Sequence, residues 1–146
     1  MKLLMAIDLS ESTQTIEEKV IEISKEYPIQ VWVLHNAVPE PDIVEFKVDP
    51  IAARENLAKK FHNEHRQIQE IADRMRKEGL DATALLVHGA TVETILKEAS
   101  DLEVDMIVVG SHGRGAMYQL LLGSVSKEIL RKSRIPVLVI PTHNRT

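Results

Sequence analysis

Apolar residues along the chain follow two alternating patterns. Short, predominantly apolar runs occupy residues 3–7, 29–34, 82–87, 104–109 and 135–140. Runs of this length, rich in Val, Ile and Leu, read as strands buried on both faces of a sheet. Between them, apolar residues recur at helical spacing. Ile16, Val20, Ile23 and Tyr27 mark one helix, with Ser12 or Thr13 as its cap and Pro28 as its stop. Leu57, Phe61, Ile68, Ala72 and Met75 mark a long helix over residues 51–77, with Gly79 just past its end. Its opposite side carries Glu55, Lys59, Lys60, Glu64, Arg66 and Glu70, the composition of a solvated face. Val92, Ile95, Leu96 and Ala99 mark a short helix, and Val125, Ile129 and Leu130 a last one. Residues 36–50 read as irregular, broken by Pro39, Pro41 and Pro50 and kept wet by Glu40, Asp42, Glu45 and Asp49.

The order βαβαβαβαβ predicts an α/β fold with a parallel sheet and helices on both faces, because parallel strands need right-handed crossovers. Such a sheet reverses its winding once, and ligands bind in the crevice beyond the strand ends at that reversal. Two strands end on polar or glycine residues suited to the crevice: the first at Asp8 and the fourth at Gly110. No linker, low-complexity tract or long repeat divides the 146 residues, so residues 1–146 are expected to form a single domain.

Composition narrows the function classes. The net charge of −4 offers no general basic surface for nucleic acid or an anionic membrane. The chain has no cysteine, which excludes disulfides, thiolate metal sites and a cysteine nucleophile. The apolar start at residues 3–7 is too short for a signal peptide, and no stretch approaches the ~18 residues of a membrane span. A cytoplasmic protein is expected.

The chemistry concentrates in residues 110–126, Gly-Ser-His-Gly-Arg-Gly-Ala-Met-Tyr-Gln-Leu-Leu-Leu-Gly-Ser-Val-Ser. This is not a Walker loop, since Ala116-Met117 stands where Lys-Ser/Thr is required. Nor is it the dinucleotide fingerprint, since Gly113-Arg114-Gly115 has two of three glycines and follows the fourth strand. It does contain the ingredients of a phosphate cradle. Glycines let backbone amides approach an anion, Ser124 could cap the last helix, and that helix's N-terminus presents free N–H groups. The hydroxyls of Ser124 and Ser126 can donate to phosphate, and Arg114 supplies charge. A plain strand-to-helix turn is the competing reading.

The spacing Gly110-x2-Gly113-x9-Gly123-Ser124 resembles the ATP-binding motif of universal stress proteins. The run 104–109 before it, the closing 133–140, Leu34-His35 and Asp8 at their strand ends agree with the same family, and the resemblance spans essentially the whole chain. It implies a five-stranded parallel sheet in the order 3-2-1-4-5, with the reversal between the first and fourth strands. It implies that Ala6, Ile7 and Asp8 lie near adenine and ribose, with Asp8 bonding the ribose, and that Asn36 meets adenine through its backbone. Val109, Gly110, Gly113 and Arg114 would line the ribose and phosphate path. Gly123, Ser124, Val125 and Ser126 would bind the phosphates of ATP, or of ADP or AMP, with Mg2+ held through the phosphates and not by protein ligands. It also implies a homodimer paired through the last strand, Val137–Ile140. The chain departs from the pattern at Leu9, where many members have glycine, and at Asn36, where a β-branched apolar residue is common.

Other candidates carry less chemistry. His35, His88 and His112 fall near strand ends, as rim residues or a metal set. His62 and His65 read as helix surface. Ser10 and Ser126 have no evident base partner, so no catalytic residue is assigned. Three readings stay open: a regulatory ATP-binding module, a slow ATPase, and a nucleotide-independent dimeric interaction protein using residues 36–77.

Overall fold

The structure is a computed structural model that describes residues 1–37, 50–111 and 123–142. Its elements are β1 (Lys2–Ile7), α1 (Ser12–Ser24), β2 (Gln30–Asn36), α2 (Pro50–Lys77), β3 (Asp81–Val87), α3 (Thr91–Asp101), β4 (Met106–Gly110), α4 (Ser124–Lys132) and β5 (Val137–Ile140). All strand pairs are parallel, in the order β3-β2-β1-β4-β5. The winding reverses between β1 and β4, as expected from the resemblance.

Strand alternation builds two cores. Leu3, Met5 and Ile7 of β1, Val31 and Val33 of β2 and Val108 of β4 face α1 and α2, where Ile16, Val20, Ile68, Ala72 and Met75 meet them. Leu4, Leu34, Ile107 and Val109 face the other way, against Ile95 and Ala99 of α3 and Ile129 of α4. Successive strand side chains point to opposite faces, so an unbroken apolar run serves both layers. Each fully buried Leu or Ile contributes about 1.5–3 kcal/mol relative to exposure.

The two helices over the first core are also joined by a polar clamp. Arg74 of α2 donates from Nε to Glu17 Oε1 at 2.8 Å and from Nη2 to Oε2 at 2.9 Å. Glu17 is buried in α1, and its hydrogen bonds hold the Arg74 guanidinium above its ordinary range.

Several local expectations change. Helix α1 is capped by Glu11, which is already wound (φ −59°, ψ −25°), instead of by Ser12 or Thr13. Ser10 provides the entry turn, its carbonyl accepting from Thr13 N at 3.1 Å. The helix ends at Ser24, so Tyr27 lies beyond it and is exposed. Pro50 opens α2 instead of breaking it, because proline at the first helical position gives up only an N–H that has no helical partner. Strand β2 runs to Asn36 because β1 and β3 pair with it on both sides. Strands β4 and β5 begin later than residues 104 and 135. Val104 N closes α3 on Ala99 O at 3.2 Å, and Pro136 has no N–H to give a ladder. On α4 only Ile129 of the three predicted apolar markers is buried; Val125 and Leu130 are exposed. Gly79 does end α2, at φ +95°, with Leu80 N on Met75 O at 3.1 Å and Gly79 N on Arg76 O at 3.0 Å.

Candidate functional site

The reversal sets the ends of β1 and β4 side by side. Their register pairs Met5 with Val108, which carried two residues on sets Ile7 level with Gly110. Beyond these residues the strands have no common neighbour, which is the crevice expected at such a point.

On the β4 side the chain is tied down at Ser111. Its N–H donates to Ile140 O at 2.9 Å, and its carbonyl accepts from Gly123 N at 2.7 Å. Its hydroxyl accepts from Thr142 N at 3.0 Å. Ser111 is buried and so joins β4, the start of α4 and the chain after β5. Sequence reasoning missed Ser111 and Thr142, because a serine inside a glycine-rich run carries no sign of a structural role. His112, Gly113 and Arg114 lie outside the described residues.

Gly123 is the N-cap of α4, with φ −56° and ψ 151°. Its carbonyl accepts the first helical bond, from Lys127 N at 3.0 Å, so Ser124 is the first helical residue and not the cap. Glycine has no side chain to bond the first turn, and no side-chain cap is formed. The N–H groups of Ser124, Val125 and Ser126 precede the first helical carbonyl and have no intrahelical acceptor. They sit at the positive end of the helix dipole, the geometry of an anion site. The Ser126 hydroxyl donates to Gly110 O at 2.7 Å and is buried. Its one proton is committed to β4, which leaves its backbone N–H facing the first turn. That bond also explains how α4 is docked against the end of β4.

On the β1 side, Asp8 Oδ1 accepts from Ser10 N at 2.9 Å. Asp8 therefore shapes a local turn instead of capping α1. Leu9 follows in the left-handed region at φ +59°, where a side chain other than glycine's is strained. Its side chain packs against the core on the α1–α2 side of the sheet. The conformation that glycine would take freely is thus kept by leucine with the support of that packing. Ala6 is half-buried, Ile7 and Val109 are buried, and both buried side chains belong to the core layers, which leaves only their backbones available at the strand ends.

On β2, Asn36 directs its amide toward α3. Nδ2 donates to Gly89 O at 2.9 Å and to Thr91 Oγ1 at 3.0 Å, stapling the end of β2 to the β3–α3 turn. His35 turns to the opposite face, where Nδ1 donates to Ile7 O and Nε2 meets Glu64 Oε2, each at 3.1 Å. Glu64 is therefore not part of a solvated face: its side chain is only 16% exposed. Lys60 Nζ stands 3.9 Å from Glu64 Oε1, also partly buried. His88 bonds Ala37 O at 3.3 Å and stacks edge-on against Phe61. His62 and His65 are exposed on α2. Among the described residues, no three His, Asp or Glu side chains are grouped to hold a metal. Among the described residues, no helix is long and apolar enough to cross a membrane.

The profile of the universal stress protein family matches residues 1–141. Universal stress protein MJ0577 of Methanocaldococcus jannaschii is 28% identical, over 98% of this chain and 96% of that protein. Universal stress protein YxiE of Bacillus subtilis is 24% identical, over 95% of this chain and 97% of that protein. The solved structure of MJ0577 superposes with a TM-score of 0.83, covering 99% of this chain and 97% of its own. A universal stress protein solved in complex with cAMP has the same fold, at 22% identity, a TM-score of 0.66 and 98% coverage of both chains. One from Archaeoglobus fulgidus, solved in complex with dAMP, shares the fold at 18% identity and a TM-score of 0.62, covering 96% of this chain and 97% of its own. With the five-stranded 3-2-1-4-5 sheet, its crevice and this match over nearly the full length, the chain belongs to the universal stress protein family.

Proposed function

We propose that this chain is a regulatory module that binds an adenine nucleotide between the ends of β1 and β4, with the phosphates on the first turn of α4. The observation that carries this reading is the glycine-capped N-terminus of α4. Its first three N–H groups lack helical partners, and they open on the crevice that Asp8 borders. Family members solved with cAMP and dAMP support the choice of an adenine nucleotide. In this reading Asp8 bonds the ribose, and the backbones of Ala6, Ile7 and Asn36 border the base. Val109, Gly110, Gly113 and Arg114 line the path to the phosphates. Ser124, Val125 and Ser126 receive the phosphates through their N–H groups, with the Ser124 hydroxyl, and Gly123, whose own N–H is held by Ser111, lets them approach with no side chain in the way. We assign ATP as the ligand, with Mg2+ held by phosphate oxygens.

Calorimetry with ATP, ADP and AMP in the presence of Mg2+ tests the reading. Heat saturating near one nucleotide per chain is expected, and no heat with any of the three would overturn it. The regulatory reading expects no phosphate release above background. Release abolished by Gly113→Val would make the chain a hydrolase instead.

The same reading includes a homodimer through β5. That strand is a sheet edge bearing half-buried Val137, Leu138 and Val139, and an unprotected apolar edge favours pairing. A monomer by light scattering would sink this part.

A further inference from the structure

The His35 contacts form a chain that ends at the crevice. Helix α2 holds Glu64, Glu64 meets His35 Nε2, and His35 Nδ1 meets the carbonyl of Ile7, each contact 3.1 Å long. A carbonyl oxygen only accepts, so Nδ1 carries a proton. With that proton alone, Nε2 would turn a lone pair toward a carboxylate oxygen, and the contact would be repulsive. A hydrogen bond there needs one more proton, on the ring or on the carboxyl. His35 is buried and the Glu64 side chain is only partly exposed, so the contact is largely shielded from water. Lys60 also faces Glu64, 3.9 Å from its second oxygen.

The acceptor at the far end gives this arrangement its consequence. The Ile7 carbonyl and the Asp8 N–H belong to one rigid peptide plane. Holding that carbonyl fixes the direction in which the chain leaves β1 toward Asp8 and the left-handed Leu9. We propose that His35 and Glu64 are positioning residues: the His35 ring, hydrogen-bonded through both nitrogens, holds the Ile7–Asp8 peptide against helix α2 and so aims Asp8 into the crevice. The consequence for ligand affinity rests on the nucleotide-binding reading above; the geometry of Asp8 does not.

The test uses Glu64→Gln and Glu64→Ala in the full chain. A glutamine amide can donate to Nε2, so a ring protonated only at Nδ1 makes both bonds. Imidazole 15N spectra are therefore expected to show Nδ1 protonated both in the original chain and in E64Q. The Asp8 amide resonance is expected to stay in place in E64Q and to move in E64A. Nucleotide affinity should fall about tenfold in E64A and remain near its starting value in E64Q, as for loss of one hydrogen bond to a charged group. An unprotonated Nδ1 in the original chain, or an Asp8 amide unmoved in E64A, would overturn the proposal. The spectra are recorded without ligand. Expected spectra from a chain that binds no nucleotide would uphold the positioning of Asp8 and overturn only the nucleotide reading.

Discussion

The N–H of Gly123 donates to the carbonyl of Ser111 at 2.7 Å, so the two ends of residues 112–122 meet at one point. The base of the glycine motif is thereby closed by a backbone hydrogen bond. The same contact sets the first turn of α4 beside the end of β4, where Ser126 bonds Gly110.

Gly123→Asp separates binding from stability. The backbone at Gly123 (φ −56°, ψ 151°) accepts any residue, and aspartate there can bond the first-turn N–H groups itself. We expect a stability gain of a few tenths to about 1 kcal/mol by thermal melting. Nucleotide affinity should fall more than about tenfold, because the carboxylate occupies the anion site. Loss of stability together with unchanged affinity would contradict the assignment.

Leu9 tests the strain at the end of β1. Leu9→Gly relieves the left-handed backbone but loses packing and chain stiffness, so its net effect should stay within about 1 kcal/mol. Leu9→Val places a β-branched residue at φ +59° and should cost at least about 1–2 kcal/mol in denaturant unfolding.

Glu103 occupies the left-handed position after α3, at φ +53°. Glu103 N bonds Ser100 O at 3.1 Å and Val104 N bonds Ala99 O at 3.2 Å, the pattern Gly79 forms after α2. Glu103 is exposed and far from the crevice. Glu103→Gly should raise stability by about 0.5–1 kcal/mol and leave ligand affinity unchanged.

Arg74→Ala would strand the buried Glu17 carboxylate. A loss of about 1–2 kcal/mol is expected in urea unfolding, since the Arg74 side chain is 54% exposed and its removal lets water reach Glu17. The double variant Glu17→Met/Arg74→Leu should recover most of it, since an apolar pair leaves no charge unpaired.

The two periodicities of the apolar pattern were enough to specify element order, the parallel sheet and the two-sided core. These depend on local spacing, and every strand run from Leu3 to Ile140 was legible as such. The spacing of Gly110, Gly113, Gly123 and Ser124, with the family resemblance, pointed to the crevice beside the end of β4. Element ends were less legible. Pro50 looked like a breaker and Ser124 like a cap, because either residue type serves both roles until neighbouring hydrogen bonds choose one.

Contacts between segments remote in sequence were decided by the tertiary structure alone. Glu64 has the same local surroundings as the exposed charges of α2, yet it reaches His35, 29 residues away, because α2 lies across the ends of β1 and β2. Ser111 clamps Gly123 and Thr142 only because β4 and β5 pair. Leu9 tolerates a conformation suited to glycine only because a core lies beneath it. Periodicity records which face of an element is buried. It does not record which polar group waits on the other side, since that depends on the packing of segments that share no local pattern.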